Sequence, residues 1–92
     1  MFTTNEYFDG KVKSIAFENN NKAATVGVMA SGDYVFKTDS KENMTIISGT
    51  MTVILPGATR TTFNAGQSFD VPANSSFDVT VSSDTAYLCV YG

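Results

Sequence analysis

The stretch GQSFDVPANSSFDV, residues 66–79, decides the reading of the fold. Gly66 is followed by five residues and Pro72, by the turn residue Asn74, and then by a run in which Phe77, Val79 and Val81 alternate with Asp78, Thr80 and Ser82. A period of two puts one side of a strand in a core and leaves the other in water. The stretch is thus two short strands joined by a Pro- and Asn-bearing turn.

The same texture fills the rest of the chain. Runs rich in Val, Ile, Thr, Phe and Tyr, separated by Gly, Asn, Asp and Ser, predict strands near 11–17, 23–30, 33–37, 44–48, 50–55, 61–64, 68–71, 76–82 and 85–91. ENNNK at 18–22 and PGAT at 56–59 are turn clusters, with Gly57 suited to a positive φ. TDSKEN, residues 38–43, is the one place for a short helical turn. In the last run Tyr87, Cys89 and Tyr91 alternate with Ala86, Leu88 and Val90, so this strand is apolar on both faces and its outer face needs a cover. A second copy of the chain is the economical one, and a homodimer is expected. No linker, repeat or low-complexity tract interrupts residues 1–92, which read as a single all-β domain.

Composition narrows the function classes. At 92 residues the chain supports one core, near the size where association often adds stability. Its 42% hydrophobic and 16% charged residues are those of a globular protein. A net charge of −3, with six Lys and Arg scattered over positions 11, 13, 22, 37, 41 and 60, provides no basic stripe for nucleic acid. No run is long enough for a membrane span, and MFTTNEYF lacks the basic-then-apolar order of a signal peptide, so no membrane partner and a cytoplasmic location are expected. Cys89 is the single cysteine, which fits a reducing compartment; flanked by YL and VY, it reads as a buried small hydrophobe.

Two blocks resemble the paired motifs of the cupin family, small jelly-roll barrels whose lumen usually holds a metal. VFKTDSKENMTIISG keeps Glu42 and Gly49 at the family spacing, with Val35 and Lys37 at the two histidine positions. The second block keeps Gly66 and Pro72, has Asn74 at the usual glycine, and has Phe77 at the third histidine. The resemblance implies a cupin-like jelly-roll barrel. Transition metals need three or four convergent imidazole, thiolate or carboxylate ligands. With no histidine in the chain and one motif carboxylate, no metal is expected.

A second resemblance runs the whole length. NEYFDGKVKSIAF, GVM, GDYVF, MTIISG, VILPGAT, AGQSFDVP and YLCVY, in that order, are similar to the bacterial pyrimidine/purine nucleoside phosphorylase family. The resemblance implies a metal-free cytoplasmic cupin, without cofactor, that cleaves nucleosides with inorganic phosphate to free base and (deoxy)ribose 1-phosphate, with broad base specificity.

Such a reaction passes through a sugar cation, and so needs an electrostatic stabiliser and a place for phosphate. Glu42, which the motif directs into the lumen, is the candidate catalytic carboxylate; without the motif it reads as a solvated acid beside Lys41. Lys37 and Lys11 are the candidates for phosphate, with Lys13 on the same strand as Lys11, although strand lysines commonly serve as solvated edges. Tyr7, Phe8, Tyr34, Phe36 and Phe77 are the candidate stacking platform for either base class, against the ordinary reading of aromatics as core. DYVFKT poses a conflict, since one strand cannot send both Phe36 with Thr38 and Val35 with Lys37 inward; the motif alignment favours Val35 and Lys37. Serine–histidine and cysteine–histidine pairs are impossible, so the leaving base is assisted by a carboxyl, a tyrosine, an amide or water. The rival classes are a non-catalytic cupin that binds a nucleoside or sugar as a sensor, and a purely structural dimeric module.

Overall fold

The computed structural model describes all 92 residues and contains strands only. These are β1 (Thr4–Tyr7), β2 (Val12–Asn19), β3 (Lys22–Met29), β4 (Gly32–Lys37), β5 (Glu42–Ser48), β6 (Thr50–Ile54), β7 (Thr61–Asn64), β8 (Ser68–Val71), β9 (Ser76–Val81) and β10 (Thr85–Tyr91). They form a six-stranded sheet in the order β1-β2-β3-β10-β5-β8 and a four-stranded sheet in the order β4-β9-β6-β7. Every pairing is antiparallel. This is the two-sheet, cupin-like jelly roll that the sequence predicts.

The alternation of β9 holds: Phe77, Val79 and Val81 are buried, while Asp78 faces solvent. With Met51 and Val53 of β6 they meet Val12, Met29, Ile46 and Val71 of the larger sheet in one core. Each such side chain contributes roughly 1.5–3 kcal/mol relative to exposure. Gly49, between β5 and β6, has φ +94°, and a Cβ there would lie 2.7 Å from Thr85 Oγ1, so the motif glycine meets both a backbone and a space requirement. Asn74, in place of the second block's glycine, keeps a left-handed φ of 53°.

Three expectations are corrected. The chain has ten strands rather than nine: β1, whose TNEY lacks an apolar alternation, is held at the sheet edge by its pairing with β2 and by the exposed Lys13–Glu6 ion pair at 3.1 Å. No helical turn forms at 38–43, because Glu42 already opens β5 and Thr38 is tied down elsewhere. The third concerns β4. Tyr34 and Thr38 are buried and Phe36 packs on the core, whereas Val35 and Lys37 are exposed, so the inward set is the one the motif alignment disfavoured. The Thr38 hydroxyl donates to the Pro72 carbonyl at 2.7 Å and accepts from the Ser75 N–H at 3.0 Å. Its buried side chain is satisfied only with the β4 face turned this way.

The two sheets differ outside. The smaller presents mainly hydroxyls and carboxylates beside the exposed Val35, with Thr52 and Thr62 3.0 Å apart and Thr80 donating to Asp33 at 2.7 Å. The larger presents methyls: Ile15, Val26, Val28 and Ile47 are 38–51% exposed, beside half-buried Leu88 and Val90. The last strand is apolar on both faces, as its sequence reads.

Candidate functional site

Between the sheets, at the end where β1 turns into β2, lies a cavity of about 370 Å³. That volume falls in the roughly 300–1,000 Å³ range of small-ligand pockets. Its floor comes from β5 and β10, where alternation sends Glu42 and Met44, and Tyr87, Cys89 and Tyr91, to the inner face. Its wall comes from Phe36 and Phe77, Cα partners on β4 and β9. Its mouth is bordered by Tyr7 and Phe8, both exposed.

The turn that carries Phe8 has three consecutive left-handed residues, Phe8, Asp9 and Gly10, with φ of 53°, 57° and 83°. It is closed by N–H bonds from Gly10 to Tyr7 O and from Lys11 to Phe8 O, both 3.2 Å. A phenylalanine in this conformation costs about 1–2 kcal/mol. The cost places its ring 4.9 Å from Tyr34 and 5.5 Å from Phe36, and Phe36 in turn lies 5.8 Å from Phe77. Four of the five candidate aromatics, Tyr7, Phe8, Phe36 and Phe77, therefore border the cavity. Tyr34 stands behind Phe8 and Phe36 with its hydroxyl donated to Ala30 O at 2.6 Å.

Glu42 is the one carboxylate in the cavity lining. Its Oε1 accepts the Cys89 thiol at 3.4 Å, and no cation is within ion-pair distance. Burial raises its pKa above the ordinary 4.5; the thiol hydrogen bond offsets part of this, and the charge of Asp39 adds to it. Burial, with the Glu42 charge next, pushes the Cys89 thiol up to about 12, so the thiol remains protonated and donates. Tyr87 is likewise pushed up to about 12, chiefly by burial. Tyr91 is raised for the same reason, although the Thr25 hydroxyl 3.1 Å away offsets part of the shift. The floor is thus one carboxylate among neutral hydroxyl and thiol groups.

Of the lysines, only Lys37 borders the cavity, from the exposed side of β4. It reaches the site from the rim, not from inside the lumen as the motif alignment implies. Lys11 lies in the turn before β2 rather than on a strand, outside the cavity lining, and Lys13 is paired with Glu6. Tyr87, Cys89, Tyr91, Met44 and Ser14 also line the cavity, although none of them is a site candidate by sequence. The signal for the two tyrosines was present, since Tyr87 and Tyr91 share a strand face with Cys89. Tyr87 also depends on Gly27, where a Cβ would come within 2.7 Å of the tyrosine oxygen.

No group of three or more His, Cys, Asp or Glu side chains is arranged to hold a metal ion. No helix is long and apolar enough to cross a membrane.

Comparison with known proteins gives this geometry its family. A sequence model of the family described as pyrimidine/purine nucleoside phosphorylase matches residues 2–91. A relative of that name from Alcanivorax borkumensis is 57% identical over 100% of this chain and 99% of its own. Among solved structures, a protein of unknown function from Vibrio parahaemolyticus superposes with a TM-score of 0.95 at 44% identity, covering 100% of this chain and 99% of that one. An RmlC-like cupin from Shewanella frigidimarina superposes at 0.78 with 17% identity, over 98% of this chain and 82% of the other, which supports the fold alone. The chain belongs to the pyrimidine/purine nucleoside phosphorylase family, a family of enzymes.

Proposed function

We propose that this cavity carries out phosphorolysis of purine and pyrimidine nucleosides, releasing free base and (deoxy)ribose 1-phosphate. The observation that carries the reading is the convergence of Glu42 with an aromatic wall in one small-ligand cavity, in a chain of this family.

Stacking against Phe8 and Phe36, with the buried ring of Phe77 packed behind them, accepts any base, because every base has a π-face, whereas hydrogen-bond readout discriminates. The base therefore lies along the wall and the pentose over the floor. There the Glu42 carboxylate accepts hydrogen bonds from ribose hydroxyls and faces the positive charge that develops at C1′ as the N-glycosidic bond lengthens. A phosphate oxygen forms the new bond to C1′, and the glycosidic electron pair leaves with the base, which takes a proton from water or a tyrosine. Lys37, on the rim, supplies the positive charge for phosphate. Lys11, one turn from Phe8, enters only as an outer guide for the anion.

The apolar outer face of the larger sheet supports a homodimer, since contiguous exposed apolar area of this kind marks an association surface. A lone buried cysteine suits the cytoplasm, where nucleosides and phosphate are both at hand.

The test is base release from uridine and adenosine, with and without inorganic phosphate. Phosphate-dependent release of both bases, with pentose 1-phosphate formed, is expected. Equal release without phosphate makes the protein a hydrolase, and saturable binding without release makes it a sensor.

A further inference from the structure

The Glu42 carboxylate is held from behind by a residue that the proposed chemistry does not touch. Tyr91 is the Cα partner of Glu42 across β5 and β10, and Cys89 is the partner of Met44, so Cys89 sits diagonally across from Glu42 on the same inner face. Diagonal neighbours on one face are within side-chain reach. Cys89 is 1% exposed, and its sulfur lies 3.4 Å from Glu42 Oε1, the one hydrogen bond that the Glu42 side chain makes within the chain. The Tyr91 hydroxyl lies 3.1 Å from the Thr25 hydroxyl of β3 and also borders the Cys89 sulfur, not Glu42. Glu42 therefore has one fixed oxygen and one oxygen left for the cavity.

We propose that Cys89 is a positioning residue for Glu42: its thiol fixes the carboxylate rotamer so that the second oxygen faces the pentose. The choice of a thiol has a chemical sense. A lysine or arginine here would neutralise the carboxylate and cancel its attraction for a sugar cation. A hydroxyl donates more strongly and would hold the charge at the back oxygen. A thiol is a weak donor, and orients the group while leaving its charge available. The other titratable groups around Glu42 are Asp39 on the loop before β5, Tyr87 and Tyr91 on β10, Tyr7 on β1 and Lys37 on β4. Apart from Cys89, none of these hydrogen-bonds to it.

The inference rests on the phosphorylase reading for its kinetic consequence but not for its spectroscopic one, and the two are tested separately. In carbon-detected NMR titrations of the folded protein, the Glu42 carboxyl midpoint is expected to move up in Cys89→Ala, which removes a donor to the charged form, and down in Cys89→Ser, which strengthens it. In uridine phosphorolysis, Cys89→Ala is expected to lower kcat about tenfold, the scale of a modest misplacement of a catalytic group. KM for uridine changes less, and the acid limb of the pH profile moves with the NMR midpoint. Cys89→Ser recovers only part of kcat, since it restores the orientation but draws charge to the bonded oxygen, and Cys89→Ala has no further effect in a Glu42→Gln background. A purely packing role leaves the midpoint and the acid limb where they are in both variants, and that result overturns the proposal. If the midpoints move but Glu42→Gln retains full phosphorolysis, the failure belongs to the role given to Glu42.

Discussion

The ring of Phe8 rests 4.9 Å from the ring of Tyr34, centroid to centroid, at an interplanar angle of 54°. Phe8 belongs to the turn that leaves β1 of the larger sheet, and Tyr34 to β4 of the smaller, so this contact closes the gap between the sheets at the cavity mouth. Phe8→Ala is expected to raise KM for uridine and adenosine alike, by the roughly 1–3 kcal/mol that a base-stacking aromatic contributes. At 42% exposure the ring is more than half buried, so its loss costs about 1 kcal/mol and lowers the melting temperature by roughly 4–8 °C, without unfolding the protein under assay conditions. Steady-state kinetics with both nucleosides checks this; a selective loss for one base class counts against a common stacking wall.

Glu42→Gln is expected to reduce turnover on the order of 10²-fold, the usual cost of deleting one electrostatic stabiliser. Stability moves the other way. The folded pKa of Glu42 is raised, so its contribution to stability is fully present below the unfolded value of 4.5 and is lost as pH rises through the folded value. The variant is then at least as stable as the parent at neutral pH, and its advantage shrinks as pH falls toward 4.5. Thermal melts from pH 4 to 8 measure the difference.

Lys37→Gln should raise KM for phosphate while leaving KM for nucleoside within about twofold. Its side chain is exposed, and such substitutions alter stability by about 0.5 kcal/mol or less. An unchanged phosphate KM removes Lys37 from the site.

Alkaline conditions test the floor. Cys89 and Tyr87 are both pushed up to about 12 from ordinary values of 9.0 and 10.0, and Tyr91 is raised as well. Their contributions to stability are complete below the unfolded values and disappear as pH rises toward the folded ones. Urea midpoints should therefore drop steeply between pH 9 and 12. At pH 8 the native thiol should resist disulfide-exchange reagents and react only on unfolding.

Val28→Asp, on the outer face of the larger sheet, should turn a dimer into a monomer with the cavity intact. Val28 is 51% exposed in the isolated chain, so the substitution disturbs no core. Light scattering at micromolar concentration decides; a parent protein that is already monomeric contradicts the dimer outright.

How much was legible in the sequence depended on local pattern. Phe77, Val79 and Val81 announced their strand because alternation is a backbone property that packing then exploited. β1 was illegible because Thr4–Tyr7 forms through pairing with β2, a contact that no local signal encodes. The inward face of β4 was misassigned because motif spacing alone cannot say which of two interleaved sets points inward. Thr38, tied to Pro72 and Ser75, decides it through a tertiary hydrogen bond. Glu42 was found through its spacing to Gly49, whereas its partner Cys89 was read only as a packing residue, since the two meet across strands.

The order of strands also governs when the site comes into being during synthesis. β10 lies between β3 and β5, yet it follows both in the chain. Until residues 85–91 are in place, neither β3 nor β5 has its partner on that side. Glu42 then lacks the half of its floor that Tyr87, Cys89 and Tyr91 supply, because the three arrive together on the strand between β3 and β5. Closure of the larger sheet and completion of the cavity are thus one event, and a chain interrupted before that event has an unfinished sheet and no site.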